Sequence, residues 1–329
     1  MSRLRYIAIR GIYTLFLLWL VLTLLFFFFR ALPGSYLDIL RSEGASQEAI
    51  QAYKAAWGLN QPLYIQYFRY VTNFLQLDPG QSFQYSIPVW DYVSQRIVNT
   101  LVLVLPGLTT GYIIGTSLGT VLGSKRGSTT EKSGVFSLVM IGSLPRFFVA
   151  ILAVIIFSLI LNIFPTGNML SPEATSLYSG ASWWRAYFTF DFLEHWILPF
   201  SVTILIGLYP SAMVMRTSVV EVAGQDFMYY NEVSGLPRLK RLKRMAHHAI
   251  LPVITLYPIS LGQAISGLVL IELVFNWPGI GFALVEAVFA RDYPVVQFVF
   301  FLTASFVIIA NFVIDILYGI IDPRISLED

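Results

Sequence analysis

Between two long apolar runs, residues 216–248 read RTSVVEVAGQDFMYYNEVSGLPRLKRLKRMAHH. The segment holds Arg216, Arg238, Lys240, Arg241, Lys243 and Arg244, six of the chain's 21 Lys and Arg. Acidic residues come first (Glu221, Asp226, Glu232), then the step Gly235-Leu236-Pro237, then basic residues at helical spacing. A glycine stops a helix in the left-handed conformation, and a proline just beyond it opens the next. The reading is a helix–Gly–helix hairpin, hydrophilic and projecting from whatever the flanking runs build. A topology signal or an anionic-lipid patch needs only charge. A hairpin of mixed sign reads as a docking element.

The flanking runs set the fold class. Of 329 residues, 56% are hydrophobic and only 12% charged, and the mean hydropathy is +0.69. A soluble domain carries about 25% charged residues, so the chain is a polytopic membrane protein. Six apolar runs are long enough to cross: 11–29, 97–122, 134–163, 196–215, 249–274 and 294–320. The first covers about 28 Å at 1.5 Å per residue, close to the bilayer core. It ends in Phe26-Phe27-Phe28-Phe29 rather than at small residues, so it reads as a retained helix and not a cleaved signal. The predicted fold is all-α with six transmembrane helices.

Residues 30–96 are the least membrane-like part. Ser46 suits the cap of a helix through Trp57, with Gly58 as its stop. Asn60-Gln61-Pro62 opens an aromatic stretch in which Tyr64, Tyr67, Phe68, Val71 and Leu75 recur at helical spacing. Such a helix either lies on the membrane surface or packs on its own bundle, and the two are compatible. In the second run Gly107, Gly111, Gly115 and Gly119 stand four apart. That spacing lets two helix backbones approach closely in lipid.

Charge sets the orientation. With six spans both termini lie on one side, together with Lys125, Arg126 and Lys132 and the six cations of 216–248. The other side carries Arg30, Arg41, Lys54, Arg69 and Arg96 in its long loop, and single arginines, Arg185 and Arg291, in its short ones. Short loops decide topology most strongly, so both termini and the hairpin are expected in the cytoplasm.

Several classes of chemistry are excluded by residue type. The chain has no cysteine, which removes disulfides, thiolate metal sites and a cysteine nucleophile. Its three histidines are His195, His247 and His248, and no zincin, nucleophile-elbow or Walker A motif is present. The chain is not expected to be an enzyme, to bind a metal or cofactor, or to hydrolyse ATP alone. Ionisable groups inside spans are costly and mark polar pathways or helix contacts. Here they are Arg146, Glu272 and Asp315, with a contact role favoured for Asp315.

Several separate stretches carry a family resemblance. Gly235-Leu236-Pro237, the basic helix and His248-Ala249-Ile250-Leu251-Pro252-Val253-Ile254-Thr255 resemble the cytoplasmic loop of binding-protein-dependent ABC importer permeases. Leu32-Pro33-Gly34, Leu59-Asn60-Gln61-Pro62, Leu144-Pro145 and His195-Trp196-Ile197-Leu198-Pro199 are similar to the first permease subunit of the dipeptide/oligopeptide/nickel branch. So are Glu272 to Gly281 (ELVFNWPGIG), Arg291 to Gln297 (RDYPVVQ) and Asp322-Pro323-Arg324. The chain departs from that branch at Tyr229-Tyr230-Asn231, where relatives carry small residues, and at Arg146, where they are generally uncharged.

The resemblance implies a type I ABC importer permease fold in three parts. These are a first helix with an extracytoplasmic region (1–96), a five-helix core with its coupling loop at 216–248 (97–322), and a cytoplasmic tail (323–329). It implies four kinds of partner: a second homologous permease subunit, one or two ATPase subunits that use ATP and Mg²⁺, an extracytoplasmic binding protein and the lipid membrane. The implied function is half of a translocation path for dipeptides or oligopeptides in a prokaryotic cell membrane. The alternatives are nickel or oligosaccharides on the same machinery, or a secondary transporter without ATPase. The ATPase-docking candidates are Asp226, Tyr229, Tyr230, Asn231, Glu232, Gly235, Leu236 and Pro237. Those for the path are Arg146, Glu272 and Asn276.

Overall fold

A computed structural model describes residues 3–31, 46–56, 58–178 and 180–321. Leu32-Pro33-Gly34, the helix end expected at Trp57 and the closing Asp322-Pro323-Arg324 lie outside the described residues. Among the described residues the regular structure is helical, with one isolated bridge between Gln81 and Pro88. The chain forms two compact units, residues 1–97 with 283–329, and residues 98–282.

The first unit contains α1 (Arg3–Ala31), α2 (Gln47–Ala56) and α3 (Leu63–Leu75), the opening turns of α4 (Val89–Ser124), the close of α12 (Ile280–Phe289), and α13 (Tyr293–Ile321). Helix α1 runs along α13 and the pair is bridged by Arg10 and Asp315, 3.5 Å apart. Asp315 is thus a helix-to-helix contact. One face of α3 packs on α1, with the Tyr67 ring 5.1 Å from Phe26 and the Tyr67 hydroxyl 2.7 Å from that of Thr23. Its other face, Tyr64 and Phe68, is exposed. The helix therefore packs on its bundle and keeps an aromatic face outward. Buried Asp292 accepts hydrogen bonds from the Ser82 hydroxyl and the Phe83 and Gln84 amides, fixing the loop before α4.

The second unit contains the rest of α4, α5 (Thr129–Ser143), α6 (Arg146–Ala153) running into π-helical turns at Val154–Ile160, α7 (Pro172–Leu177), a 3₁₀ segment (Gly180–Phe188) and α8 (Phe190–Ala223). Then come α9 (Asp226–Val233), α10 (Arg238–Ala249), α11 (Leu251–Val274) and the start of α12. Helices α4 and α8 meet through the glycine stripe. A Cβ on Gly107 would stand 2.6 Å from the Thr203 methyl, and one on Gly111 would collide with the Ile204 carbonyl. The four-residue spacing is thus a backbone-to-backbone seam.

Helices α1, α4, α8 and α13 are each long and apolar enough to cross a membrane. Two more apolar stretches follow bends: α6 with its π turns after α5, and α11, which leaves the hydrophilic hairpin helix α10 at 55°. Among the described residues there are thus four such helices, or up to six spans if each bent pair is one, and two of the runs depart from the expected outline. The run 134–163, which reads as one span, turns by 93° between Ser143 and Arg146. Pro145 supplies no amide hydrogen and forces Leu144 into extended backbone (φ −74°, ψ 135°). The fourth span was expected to end at Met215, yet α8 continues to Ala223. The cause is a partner: Arg216 is bound by Glu131 of α5, so a cation that signals a loop is neutralised inside a helix. Helix α12 and the 3₁₀ segment were not anticipated.

Candidate docking hairpin and path residues

The hairpin begins where α8 leaves its neighbours. Arg216 donates from Nε to Oε1 of Glu131 at 2.9 Å, and a second guanidinium hydrogen bond reaches the same oxygen. Glu131 is buried, its other oxygen accepts from the Gly127 amide, and its own amide donates to the Ser128 hydroxyl that caps α5. The charge of Arg216 is therefore held between two helices.

Beyond Gly224 the chain turns into α9. That helix ends in a tight turn in which the Gly235 amide donates to the Glu232 carbonyl (3.0 Å) and the Leu236 amide to the Asn231 carbonyl (3.2 Å). Gly235 has φ +71°, and nothing lies within 4 Å of where its Cβ would be. Glycine is needed there for its backbone conformation rather than for space. Pro237, at φ −54° and ψ 143°, then stands as the residue that precedes the first turn of α10.

Two faces of the hairpin differ in kind. Met228 and Asn231 of α9, with Met245 and Ala249 of α10, are buried. Across the same seam Arg241 pairs with Glu232 at 2.6 Å, and Arg244 donates to the Asn231 side chain. The other face carries Tyr229 (67% exposed), Tyr230 (70%), Val233 and Leu239 (78%). A groove of about 400 Å³ lies beside them, lined among others by Gln225, Asp226, Tyr229, Glu232, Arg238 and Arg241. Of the candidates for docking, Tyr229, Tyr230 and Glu232 are outward. Asn231 is turned inward as a brace. Asp226 opens α9 at the groove, and Gly235, Leu236 and Pro237 make the turn. An internally tied hairpin that exposes aromatics beside charges has the composition of a protein-binding surface.

The three path candidates sit in different surroundings. Glu272 is fully buried near the end of α11. Thr100 donates to its Oε1 at 2.6 Å and the Phe282 amide to its Oε2 at 2.8 Å. Thr100 Oγ1 in turn accepts from the Ile280 amide at 2.9 Å. Glu272 thus binds the first turn of α12, and no part of it is open to a path in this conformation. Asn276, at φ +48°, is exposed and its side-chain amide donates to Asn168, itself at φ +67°. Arg146 is exposed at the start of α6, where it lines a small hollow against α8.

Sequence reading missed the residues that complete the turn after α11. Trp277 is fully buried, and its indole donates to the Asn99 carbonyl at 3.0 Å. The Asn99 side chain donates to the Pro278 carbonyl at 2.7 Å and accepts from the Tyr187 hydroxyl. Burial raises the Tyr187 phenol above its usual range, which keeps it a donor. The signal available in the sequence is the pair Asn99-Thr100 inside an otherwise apolar run. Two adjacent polar residues there require partners.

Comparison with known proteins places this architecture. The family model described as "Binding-protein-dependent transport system inner membrane component" matches residues 93–327, and its N-terminal companion matches residues 3–104. The chain is 31% identical over 318 residues to the dipeptide transport system permease protein DppB of Escherichia coli K12, covering 92% of this chain and 93% of the relative. It is 32% identical over 332 residues to a putative peptide permease protein of Brucella ovis (98% and 99% covered). The oligopeptide transport system permease protein AppB of Bacillus subtilis shares 30% over 323 residues (98% and 99%). The chain belongs to the binding-protein-dependent transport system inner membrane components, as an ABC importer permease of the dipeptide/oligopeptide branch.

Proposed function

We propose that this permease carries peptides, forming half of a path whose other half is a second homologous permease. One or two ATPase subunits dock on the hairpin of α9 and α10, and an extracytoplasmic binding protein delivers the ligand. The peptide assignment is supported by the relatives, whose names specify dipeptide, oligopeptide or peptide transport. The loop charges support cytoplasmic termini and a cytoplasmic hairpin. On this reading residues 1–96 form an anchor with an extracytoplasmic region, 97–322 the transporting core and 323–329 the cytoplasmic tail. ATP and Mg²⁺ are used by the partner subunits.

The observation that carries the docking role is the exposed Tyr229, Tyr230, Val233 and Leu239 on a hairpin braced from within by Arg241–Glu232. A coupling element must be stiff and must make different contacts in the two states of the machine. Helix α8 supplies the transmission. It is one helix of 34 residues, about 51 Å long. Near its start the Phe192 ring lies 6.0 Å from that of Trp277. A displacement of the hairpin by a closing ATPase dimer is thus carried as rigid-body motion to the turn after α11.

Purification of the tagged chain in mild detergent tests this. ATPase subunits and a second permease are expected to come with it, and peptide uptake in vesicles is expected to need ATP and the binding protein. A chain that is isolated alone and still carries solute without ATP contradicts the reading.

A further inference from the structure

We propose that the Arg146 guanidinium is a carboxylate-binding site on the transport path, taking the C-terminal carboxylate of a peptide in transit. The assignment rests on the peptide reading above and adds a residue and a substrate group to it.

The position of Arg146 is the first reason. It follows the 93° break between α5 and α6. Its hollow is lined by Val202, Ile206 and Tyr209, which lie midway along α8. Its guanidinium is turned toward α11, where a Cβ on Gly267 would stand 3.1 Å from Nη1. The charge therefore sits at mid-span depth, where an arginine facing lipid is strongly disfavoured.

The second reason is what surrounds it. Among the described residues Arg146 has no hydrogen-bond or ion-pair partner, in contrast to Arg216 and Arg241. The hollow, about 40 Å³, has no Asp or Glu in its lining, which is otherwise apolar apart from Tyr209. That volume admits a small head group. An exposed cation with no carboxylate of its own chain beside it is open to an anion from outside. The planar guanidinium fork matches a carboxylate at two points. A free C-terminal carboxylate is the group that peptides of any sequence share, so one arginine serves a mixed substrate pool.

The test compares trialanine with trialanine C-terminal amide in vesicles containing the complete transporter and its binding protein, with wild type beside Arg146→Gln. Any preference of the binding protein is common to both transporters and cancels in the ratio of ratios. The preference for the free acid is expected to fall by about tenfold or more in Arg146→Gln. Arg146→Lys is expected to retain part of it. An unchanged acid-to-amide ratio in Arg146→Gln overturns the assignment. An equal loss for both peptides, or a complex that fails to assemble until Lys restores it, also overturns it and points to a carboxylate of the second permease. If wild type carries neither peptide, the peptide reading itself falls.

Discussion

Thr100 and Glu272, 172 residues apart in sequence, are joined by a 2.6 Å hydrogen bond from hydroxyl to carboxylate in a buried site. The same hydroxyl accepts the Ile280 amide, and the carboxylate accepts the Phe282 amide. The ELVFNWPGIG stretch is thereby closed onto α4. A side chain on Gly279 would run into the carboxylate, so the glycine is part of the same closure.

Loss of Thr100 should therefore cost stability out of proportion to its size. Thr100→Val leaves a buried carboxylate oxygen and a buried amide without partners, a loss of about 2–3 kcal/mol. The expected outcome is a clearly lower unfolding midpoint for the purified protein in detergent, with Thr100→Ser close to wild type. Equal midpoints for Val and wild type would mean that the hydroxyl is dispensable.

The seam between α4 and α8 makes a second prediction. A Cβ on Gly111 collides with the Ile204 carbonyl, whereas one on Gly224 has only the Glu221 carbonyl at 3.5 Å. Gly111→Val should lose at least about 1–3 kcal/mol through forced separation of the helices, seen as poor membrane accumulation. Gly224→Ala should accumulate normally. Tolerance of valine at 111 would contradict the close packing.

The turn of the hairpin separates folding from coupling. Gly235 is left-handed with open space around it, so Gly235→Ala carries only the conformational cost, about 1–2 kcal/mol. Gly235→Trp adds bulk to the proposed docking surface. It is expected to reach the membrane and leave ATP hydrolysis running while uptake is lost. Glu232→Lys, which sets a cation against Arg241 where an ion pair now stands at 2.6 Å, is expected to do the same. Normal uptake in both variants would remove the hairpin from the coupling route.

Much of this was legible because lipid imposes simple rules. Apolar length marked the crossing helices, and the glycine spacing marked a seam. Gly235-Leu236-Pro237 gave the turn between two helices. What escaped depended on partners distant in sequence. Arg216 reads as the start of a loop until Glu131, 85 residues away, is seen to hold it. Glu272 reads as a lone carboxylate in a span, and its partners Thr100 and the Phe282 amide lie 172 and 10 residues away. Asn231 reads as part of a docking face until Arg244 turns it inward. The break at Leu144-Pro145 was visible as a proline, but its 93° angle was not. A proline within a span is compatible with anything from a slight kink to a full turn.

On the proposed function, the exposed face of α9 meets an ATPase. The chain has no cysteine, so single cysteines can be introduced without background. Tyr230→Cys, on the exposed face, should cross-link to an ATPase subunit in the assembled transporter, with a yield that changes when ATP is added. Thr166→Cys, in the loop between α6 and α7, should give no ATPase adduct. Absence of the adduct from position 230, with an adduct from position 166, would contradict the docking face and the orientation together.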